Sequence, residues 1–490
     1  MSILTPGRRW QSNYYKYQRD RDIHIFFTSI KMLDQGPLWG CKHCGNCFLQ
    51  ETAFICPLEC PIGICNGPCD GSSSECCYID ETRPCVWFKI YERAFNLGRQ
   101  ELLMEVLPPV DWEQFGGEKI GRMANQVKKA SLCKVFFGLI SSDDKKREEA
   151  WKGIFPPVRQ PEWWRGDADY HLPTYSEPAS ELERRLKAGQ FVVTAELQPP
   201  QTVSIEELNH NIDLVKPYVI AVNFANGVLA TPRMSSLACS TLTVQRGLEP
   251  VLQFAARETT RITLQSQVLG ASALGIRNIL CLTGESNKLG PAPHGPMDIV
   301  DLDSIQMLWV LRRMRDEVKY LDENENNFPP KYFLGAAAMP CASRPEFQAI
   351  CTHKKVNAGA QFFQTNPVYD ADRIEIWLNE LAKRNILDKV YILVGISPLK
   401  SFNVARHLKA EVPGVFMPDS IIHRMEAAET AGNAPEEGIQ ITLEIIGKIR
   451  KIQGVHGLHI ITVGWEEIVP RIVNEAGLLP ENFQAPAVLN

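Results

Sequence analysis

Residues 250–285 read PVLQFAARETTRITLQSQVLGASALGIRNILCLTGE, a stretch that holds a strand, a helix and a second strand in succession. PVLQFAA from Pro250 is a short apolar run, ITLQSQVLGASALG is amphipathic at helical spacing, and NILCLTG from Asn278 is apolar again. Short apolar runs bounded by turn residues are the mark of buried strands, and the longer periodic segment between them is the mark of a surface helix. The unit recurs on both sides. Further runs are FVVTAEL from Phe191, YVIAVNF from Tyr218, YFLGAAAM from Tyr332, QFFQTN from Gln361, VYILVGI from Val390 and LHIITVG from Leu458. Between them lie helix-like segments such as SIEELNHNIDLVK, SIQMLWVLRRMRDEV, DADRIEIWLNELAKR and IQITLEIIGKIRK. Eight such strand-helix units over residues 185–490 predict an α/β fold, a closed (β/α)8 TIM barrel. An open doubly wound sheet fits less well, because no GxGxxG follows the first strand and no GxxxxGK[ST] occurs.

Ahead of the barrel the chain changes character. Ten of its fifteen cysteines fall between Cys41 and Cys85, in the run CKHCGNC, CPLECPIGICNGPC, CC and RPC. Cys41, Cys44 and Cys47 form a CxxCxxC unit, and Cys56 and Cys60 are each followed by proline, a combination found in bacterial-type iron-sulfur sites. Tetrahedral zinc is the competing reading, although zinc sites usually show separated CxxC or HxxxH pairs and only His43 lies nearby. A disulfide-stapled secreted module does not suit the context: MSILTPGRRWQSNYYKYQRDRD lacks the apolar core of a secretory leader, and five later cysteines stand singly. A cytoplasmic setting is expected. The segment VWFKIYERAFNLGRQ closes this region with helical spacing, so the chain divides into a cysteine-rich metal-cluster domain at 1–100, a helical and irregular connector at 101–184, and the barrel at 185–490.

Composition narrows the function classes. With 490 residues, 44% of them hydrophobic, and a net charge of −5, the chain has material for two or three cores and lacks the basic surplus of a nucleic-acid binder. No apolar run reaches the roughly 20 residues needed to span a bilayer.

A TIM barrel places its chemistry at the C-terminal ends of its strands. The polar residues in or near those ends are Glu196, Asn226, Gln253, Arg257, Glu258, Glu285, Gln361, Gln364 and Asn366, with Lys354 and Lys355 just ahead of the sixth strand. Glu196 is the sharpest of them, because a carboxylate in the apolar setting VVTAELQPP is costly without a purpose. Structural readings stand beside the functional ones. Arg257 and Glu258 suit a rim ion pair, Glu285 in LTGES suits loop punctuation, and Lys355 suits an exposed surface. Gln361 and Gln364 point to opposite faces of a regular strand, so only one of them faces the interior.

TAELQPP, the stretch 250–285 and KKVNAGAQFFQTNPVYD together resemble the methylenetetrahydrofolate reductase family over roughly residues 185–480. The cysteine segment, with CPxxCP, NGPCDG and CVWFKIYER, resembles the cysteine-rich companion domain found with acetogen-type reductases of that family. The resemblance implies flavin-dependent reduction of 5,10-methylenetetrahydrofolate to 5-methyltetrahydrofolate, with either FMN or FAD. Glu196 matches the family glutamate that protonates N10, a role for which desolvation beside Pro199 and Pro200 would raise its pKa. Glu285 stands where the family carries aspartate near flavin and folate, as a second catalytic and cofactor-binding carboxylate. Gln253 stands where many members have histidine beside the flavin. Arg257 belongs to the same cofactor-binding set, and Lys355 matches a lysine at the flavin phosphate. Gln361 matches the pterin-binding glutamine, with Gln364 and Asn226 as further substrate-binding residues.

For the cysteines, the resemblance implies Cys41, Cys44, Cys47, Cys56, Cys60, Cys69, Cys77 and Cys85 as ligands, with Cys65 and Cys76 spare. Eight thiolates suit two [4Fe-4S] clusters, or one cluster with a zinc site. Expected partners are tetrahydrofolate and an external electron carrier, either ferredoxin-like or an NAD(P)H-oxidising subunit. Neither nucleic acid nor a membrane span is expected, and a homo-oligomer is compatible. The alternative is a non-redox folate-binding scaffold with structural zinc that serves a partner methyltransferase.

Overall fold

The computed structural model describes residues 48, 51–53, 55–69, 72–73, 76–96, 98–110, scattered positions between 137 and 150, and residues 167–225, 231–284, 300–342 and 344–480. Cys41, Cys44, Cys47, Asn226 and Glu285 lie outside the described residues.

The repeated apolar runs form eight parallel strands in one closed barrel, each strand paired with its sequence neighbours and the last with the first. They are β1 (Val192–Leu197), β2 (Ala221–Phe224), β3 (Glu249–Ala255), β4 (Asn278–Leu282), β5 (Phe333–Ala338), β6 (Phe362–Pro367), β7 (Tyr391–Ile396) and β8 (Gly457–Ile461). The ring closes where Thr194 pairs with His459 and Glu196 with Ile461. All eight expected strands are present. Three helices rather than one separate β7 from β8, at Phe402–Glu411, Asp419–Thr430 and Ala434–Ile449, the first capped by the Ser401 hydroxyl on Val404 N–H.

Side-chain alternation divides the barrel interior into layers. The lowest is apolar: Val192, Ala221, Val251, Leu280, Phe333, Phe362 and Leu393 cluster there with Leu182 and Leu186 of the helix Glu181–Lys187, which closes the N-terminal end. That helix is fixed by the Glu249 carboxylate at the start of β3, which accepts hydrogen bonds from Glu181 N–H at 2.7 Å and Leu182 N–H at 3.1 Å. A carboxylate suits these donors because they carry the positive end of the helix dipole. Phe333 and Phe362 stack with centroids 4.6 Å apart. Gly335 makes this possible, since a Cβ there would lie 2.3 Å from the Phe362 ring. One layer up, the inward positions turn polar, as Thr194, Asn223, Gln253, Gln364 and His459.

The contacts divide the chain into two compact units: residues 1–63, 86–103 and 108–165 in one, and residues 64–85, 104–107 and 166–490 in the other. In the first, the helix Val86–Asn96 buries Trp87, Ile90, Tyr91 and Ala94 along one face, as the spacing of VWFKIYERAFN predicts. In the second, residues 64–85 belong with the barrel rather than with the rest of the region before residue 100. The reason is Asp303, the N-cap of the helix Ser304–Arg312. Its Oδ1 accepts from Ile305 and Gln306 N–H, while its Oδ2 accepts from Cys65 N–H at 3.1 Å and Asn66 N–H at 2.8 Å. Asn66 in turn exchanges hydrogen bonds with the Leu107 backbone.

Candidate active site at the barrel mouth

Glu196 is the fifth residue of β1, and its side chain is 27% exposed at the C-terminal end of the barrel. Gln253 of β3 reaches across to it, its Nε2 donating to Glu196 Oε2 at 3.0 Å. Gln253 is itself held from behind, where its backbone N–H donates to the Ser236 hydroxyl. Sequence reasoning assigned these two residues to different tasks. The structure brings them into one hydrogen bond.

Beneath this pair lies a buried network of neutral groups. Asn223 of β2 and Gln364 of β6 face each other as a reciprocal amide pair, Asn223 Nδ2 donating to Gln364 Oε1 at 2.6 Å and Gln364 Nε2 to Asn223 Oδ1 at 3.1 Å. Gln364 Nε2 also lies 3.1 Å from Thr194 Oγ1 and 3.3 Å from His459 Nδ1. The other ring nitrogen of His459 stands 3.9 Å from Glu196 Oε2. Burial pushes the His459 imidazole down to about 3, so this approach is between a carboxylate and a neutral ring and is not an ion pair. Buried polar groups need partners, and this layer supplies them internally.

The loop after β8 braces the same carboxylate through its backbone. The Thr462 hydroxyl donates to Glu196 O at 2.8 Å and lies 3.3 Å from Glu466 Oε1, which also accepts from Gln198 N–H at 3.2 Å. Two further groups mark the rim. Asn366 Oδ1 on β6 and Ser397 Oγ, one residue past β7, are buried with no hydrogen-bond partner among the described residues.

The other expected site residues divide. Arg257 occupies the short turn Ala256–Glu258 directly after β3, half-buried, with its N–H donating to Thr283 O beside the end of β4. Lys355 is buried rather than exposed. Its ammonium donates to Ala337 O of β5 at 2.7 Å, which places it behind the upper half of the barrel wall. Gln361 does not reach the mouth. It precedes the first residue of β6 and therefore belongs to the N-terminal end, where Oε1 accepts from Arg315 at 2.5 Å and from Leu334 N–H, and Nε2 donates to Tyr175 Oη at 2.8 Å. The glutamine that faces the interior is Gln364.

Sequence reasoning missed Thr194, Asn223, His459, Thr462 and Glu466. For Thr194 the available signal was the period-2 rule, which points it to the same face of β1 as Glu196; Asn223 and His459 lie on other strands, where the rule gives no link to a recognised site residue.

Among the described cysteines, Cys69 Sγ is 3.4 Å from Ser72 Oγ, and burial together with Glu81 raises the Cys76 thiol. Among the described residues no group of three or more His, Cys, Asp or Glu side chains converges as a metal site. No helix among them is long and apolar enough to cross a membrane.

A protein of Schizosaccharomyces pombe, methylenetetrahydrofolate reductase 1, is 24% identical over 306 residues, covering 60% of this chain; the chain spans about half, 47%, of that relative's length. Among solved structures, a Clostridium thermocellum protein described as binding two copies of 5-methyl-5,6,7,8-tetrahydrofolic acid aligns with a TM-score of 0.43 at 14% identity, over 61% of this chain and 97% of its own. A riboflavin lyase aligns with a TM-score of 0.38 at 12% identity, over 61% and 94%. Residues 22–113 match the family described as methylene-tetrahydrofolate reductase C terminal, which here lies ahead of the barrel. Residues 181–477, the entire barrel, match the methylenetetrahydrofolate reductase family, and the chain belongs to that family.

Proposed function

We propose that the chain reduces 5,10-methylenetetrahydrofolate to 5-methyltetrahydrofolate at the barrel mouth. The observation that carries this reading is Glu196, a half-buried carboxyl at the end of β1, held by the Gln253 amide above a neutral polar layer. A carboxyl at the mouth can give up a proton and take one back, the task the reaction sets. The Glu196 proton goes to N10 of the folate, the N10–methylene bond breaks, and an N5 iminium is left to accept hydride. A bound flavin supplies that hydride.

Arg257 is the cationic group proposed for the flavin phosphate, with Lys355 able to join it only by exchanging its bond to Ala337 O, and Gln364, beneath the mouth, is proposed to act on the pterin by holding Asn223 and the floor in place. Glu285 and Asn226, which lie outside the described residues, are proposed to complete the site.

Electrons are proposed to arrive through metal centres of the cysteine-rich region, or from a nicotinamide. The five described members of the expected ligand set, Cys56, Cys60, Cys69, Cys77 and Cys85, gather no site by themselves. The metal reading therefore rests on the CxxCxxC of Cys41, Cys44 and Cys47.

The deciding experiment purifies the protein anaerobically, measures flavin absorbance and acid-labile sulfide, and tests NADH, NADPH and reduced ferredoxin side by side as donors. Methyl-folate formation by the parent and its collapse in Glu196→Gln, with flavin still bound, support the proposal. Protein with neither flavin nor sulfide defeats it. Stoichiometric zinc, no iron and no turnover with any reductant point instead to a folate-binding scaffold.

A further inference from the structure

His459 has no part in the chemistry just described, yet among the described residues it is the ring in the polar layer beneath Glu196 that presents a nitrogen to it. Its Nδ1 is engaged by Thr194 Oγ1 at 3.0 Å and Gln364 Nε2 at 3.3 Å. Either the Thr194 hydroxyl or the Gln364 amide N–H can donate to Nδ1. With Nδ1 accepting, the ring proton sits on Nε2, the atom facing Glu196 Oε2 at 3.9 Å. We propose that His459 is a positioning residue for Glu196, offering Nε2–H to the same carboxylate oxygen that Gln253 holds; the proposal rests on reading Glu196 as the proton donor to folate.

Thr194 and Gln364 serve only Nδ1, and Nε2 is the ring nitrogen turned toward Glu196. The gap of 3.9 Å is longer than a hydrogen bond but lies within a side-chain rotation of the half-buried carboxylate. Among the described residues, the charged groups next to this pair are Glu196 itself, from β1, and Glu466, from the loop after β8. Thr194, Asn223, Gln253 and Gln364, from β1, β2, β3 and β6, are neutral. Burial keeps the imidazole uncharged, so it orients Glu196 without clamping it in the ionised form.

An N–H aimed at a carboxylate favours the ionised form, and removing it raises the carboxyl pKa. The test uses the full chain and the infrared C=O band of protonated carboxyl that Glu196→Gln deletes, followed against pH. His459→Asn keeps the contact with Thr194 and Gln364 but withdraws the donor, and His459→Leu removes both. His459→Gln can extend an amide N–H to the Nε2 position. The band midpoint is expected to rise by about half a unit or more in the Asn and Leu variants and to stay within about 0.2 unit in the Gln variant. Circular dichroism melts select the folded variants. An unmoved midpoint in folded His459→Asn overturns the assignment, even if His459→Leu fails to fold. Calorimetric titration with 5-methyltetrahydrofolate keeps the two ideas separable. A parent chain that does not bind it overturns the folate reading, whereas the band decides His459 without any bound ligand.

Discussion

Gln253 Nε2 and Glu196 Oε2, on strands β3 and β1, meet at 3.0 Å across the mouth of the barrel. Gln253→Glu places a second carboxyl against the first, and two carboxylates at that distance resist ionising together. If protonated Glu196 is the acid, the alkaline limb of the kcat/KM profile moves up by about one pH unit in this variant. Gln253→Leu removes the hydrogen bond and lowers kcat/KM by about tenfold, the worth of a hydrogen bond to a charged group. A profile that coincides with the parent's in both variants would show that the contact has no part in the chemistry.

Two histidines, His459 buried and His353 half-buried, make stability depend on acid. His459 is pushed down to about 3 and His353 to about 4, both by burial first, His353 also by Arg384 and Lys389. Below about pH 6.5, the ordinary histidine value, the unfolded chain takes up protons that these folded sites refuse. Their contribution is whole above that pH and drains away as pH falls toward 4 and then 3, the fully buried His459 costing roughly 1.4 kcal/mol per unit in the steep part of its window and the half-buried His353 less, since solvent screens it. Denaturant midpoints measured between pH 7 and pH 4.5 should fall, and His459→Gln should flatten the slope by about one proton. An equal slope in the variant would mean that the ring is charged in the fold.

The barrel was legible because each of its strands is a short apolar run followed by a helix of different period, and that alternation survives any detail of packing. Glu196 was legible because a carboxylate in VVTAEL contradicts its surroundings. His459 was not, because LHIITVG reads as a plain strand until the inward positions of the other strands are known to be polar at the same height. Gln361 shows the opposite failure. One residue ahead of a strand is the far end of the barrel, and the boundary of β6 decides which end a glutamine serves. The docking of residues 64–66 on Asp303 leaves no periodic trace at all, since it joins positions 237 and 238 residues apart through backbone N–H groups that any sequence possesses.

Gly335 and Phe362 test the lower layer. A methyl group at Gly335 would sit 2.3 Å from the Phe362 ring, too close for either to remain. Gly335→Ala is expected to cost roughly 2 to 3 kcal/mol in urea unfolding, the range of overpacked cores. Adding Phe362→Leu should recover part of that loss. A destabilisation that is simply additive in the double variant would place the strain elsewhere.

The two glutamines of the QFFQ segment should part company. Gln361→Ala strips an acceptor from the buried Arg315 guanidinium and is expected to lower stability by about 1 to 3 kcal/mol while kcat/KM holds, because the site lies at the other end of the barrel. Gln364→Leu breaks the amide pair with Asn223 and frees the His459 ring, and is expected to lower kcat/KM by at least about tenfold. The reverse pattern, with Gln361→Ala the inactive one, would return the pterin contact to Gln361.

Cys65 and Cys69 offer the corresponding contrast for the metal. Cys65 contributes its backbone N–H to Asp303, and serine preserves that bond, so Cys65→Ser should keep both the fold and the bound iron or zinc. Cys69, with its thiol 3.4 Å from the Ser72 hydroxyl, belongs to the expected ligand set, and a serine oxygen is a poor substitute for a thiolate on either metal. Cys69→Ser should therefore lose one centre, lowering metal per chain by about half if two centres are present. Elemental analysis and acid-labile sulfide on anaerobically purified protein read the difference. Equal metal loss in the two variants would make Cys65 a ligand as well, and the loop anchored on Asp303 would then be part of a metal site docked directly against the barrel.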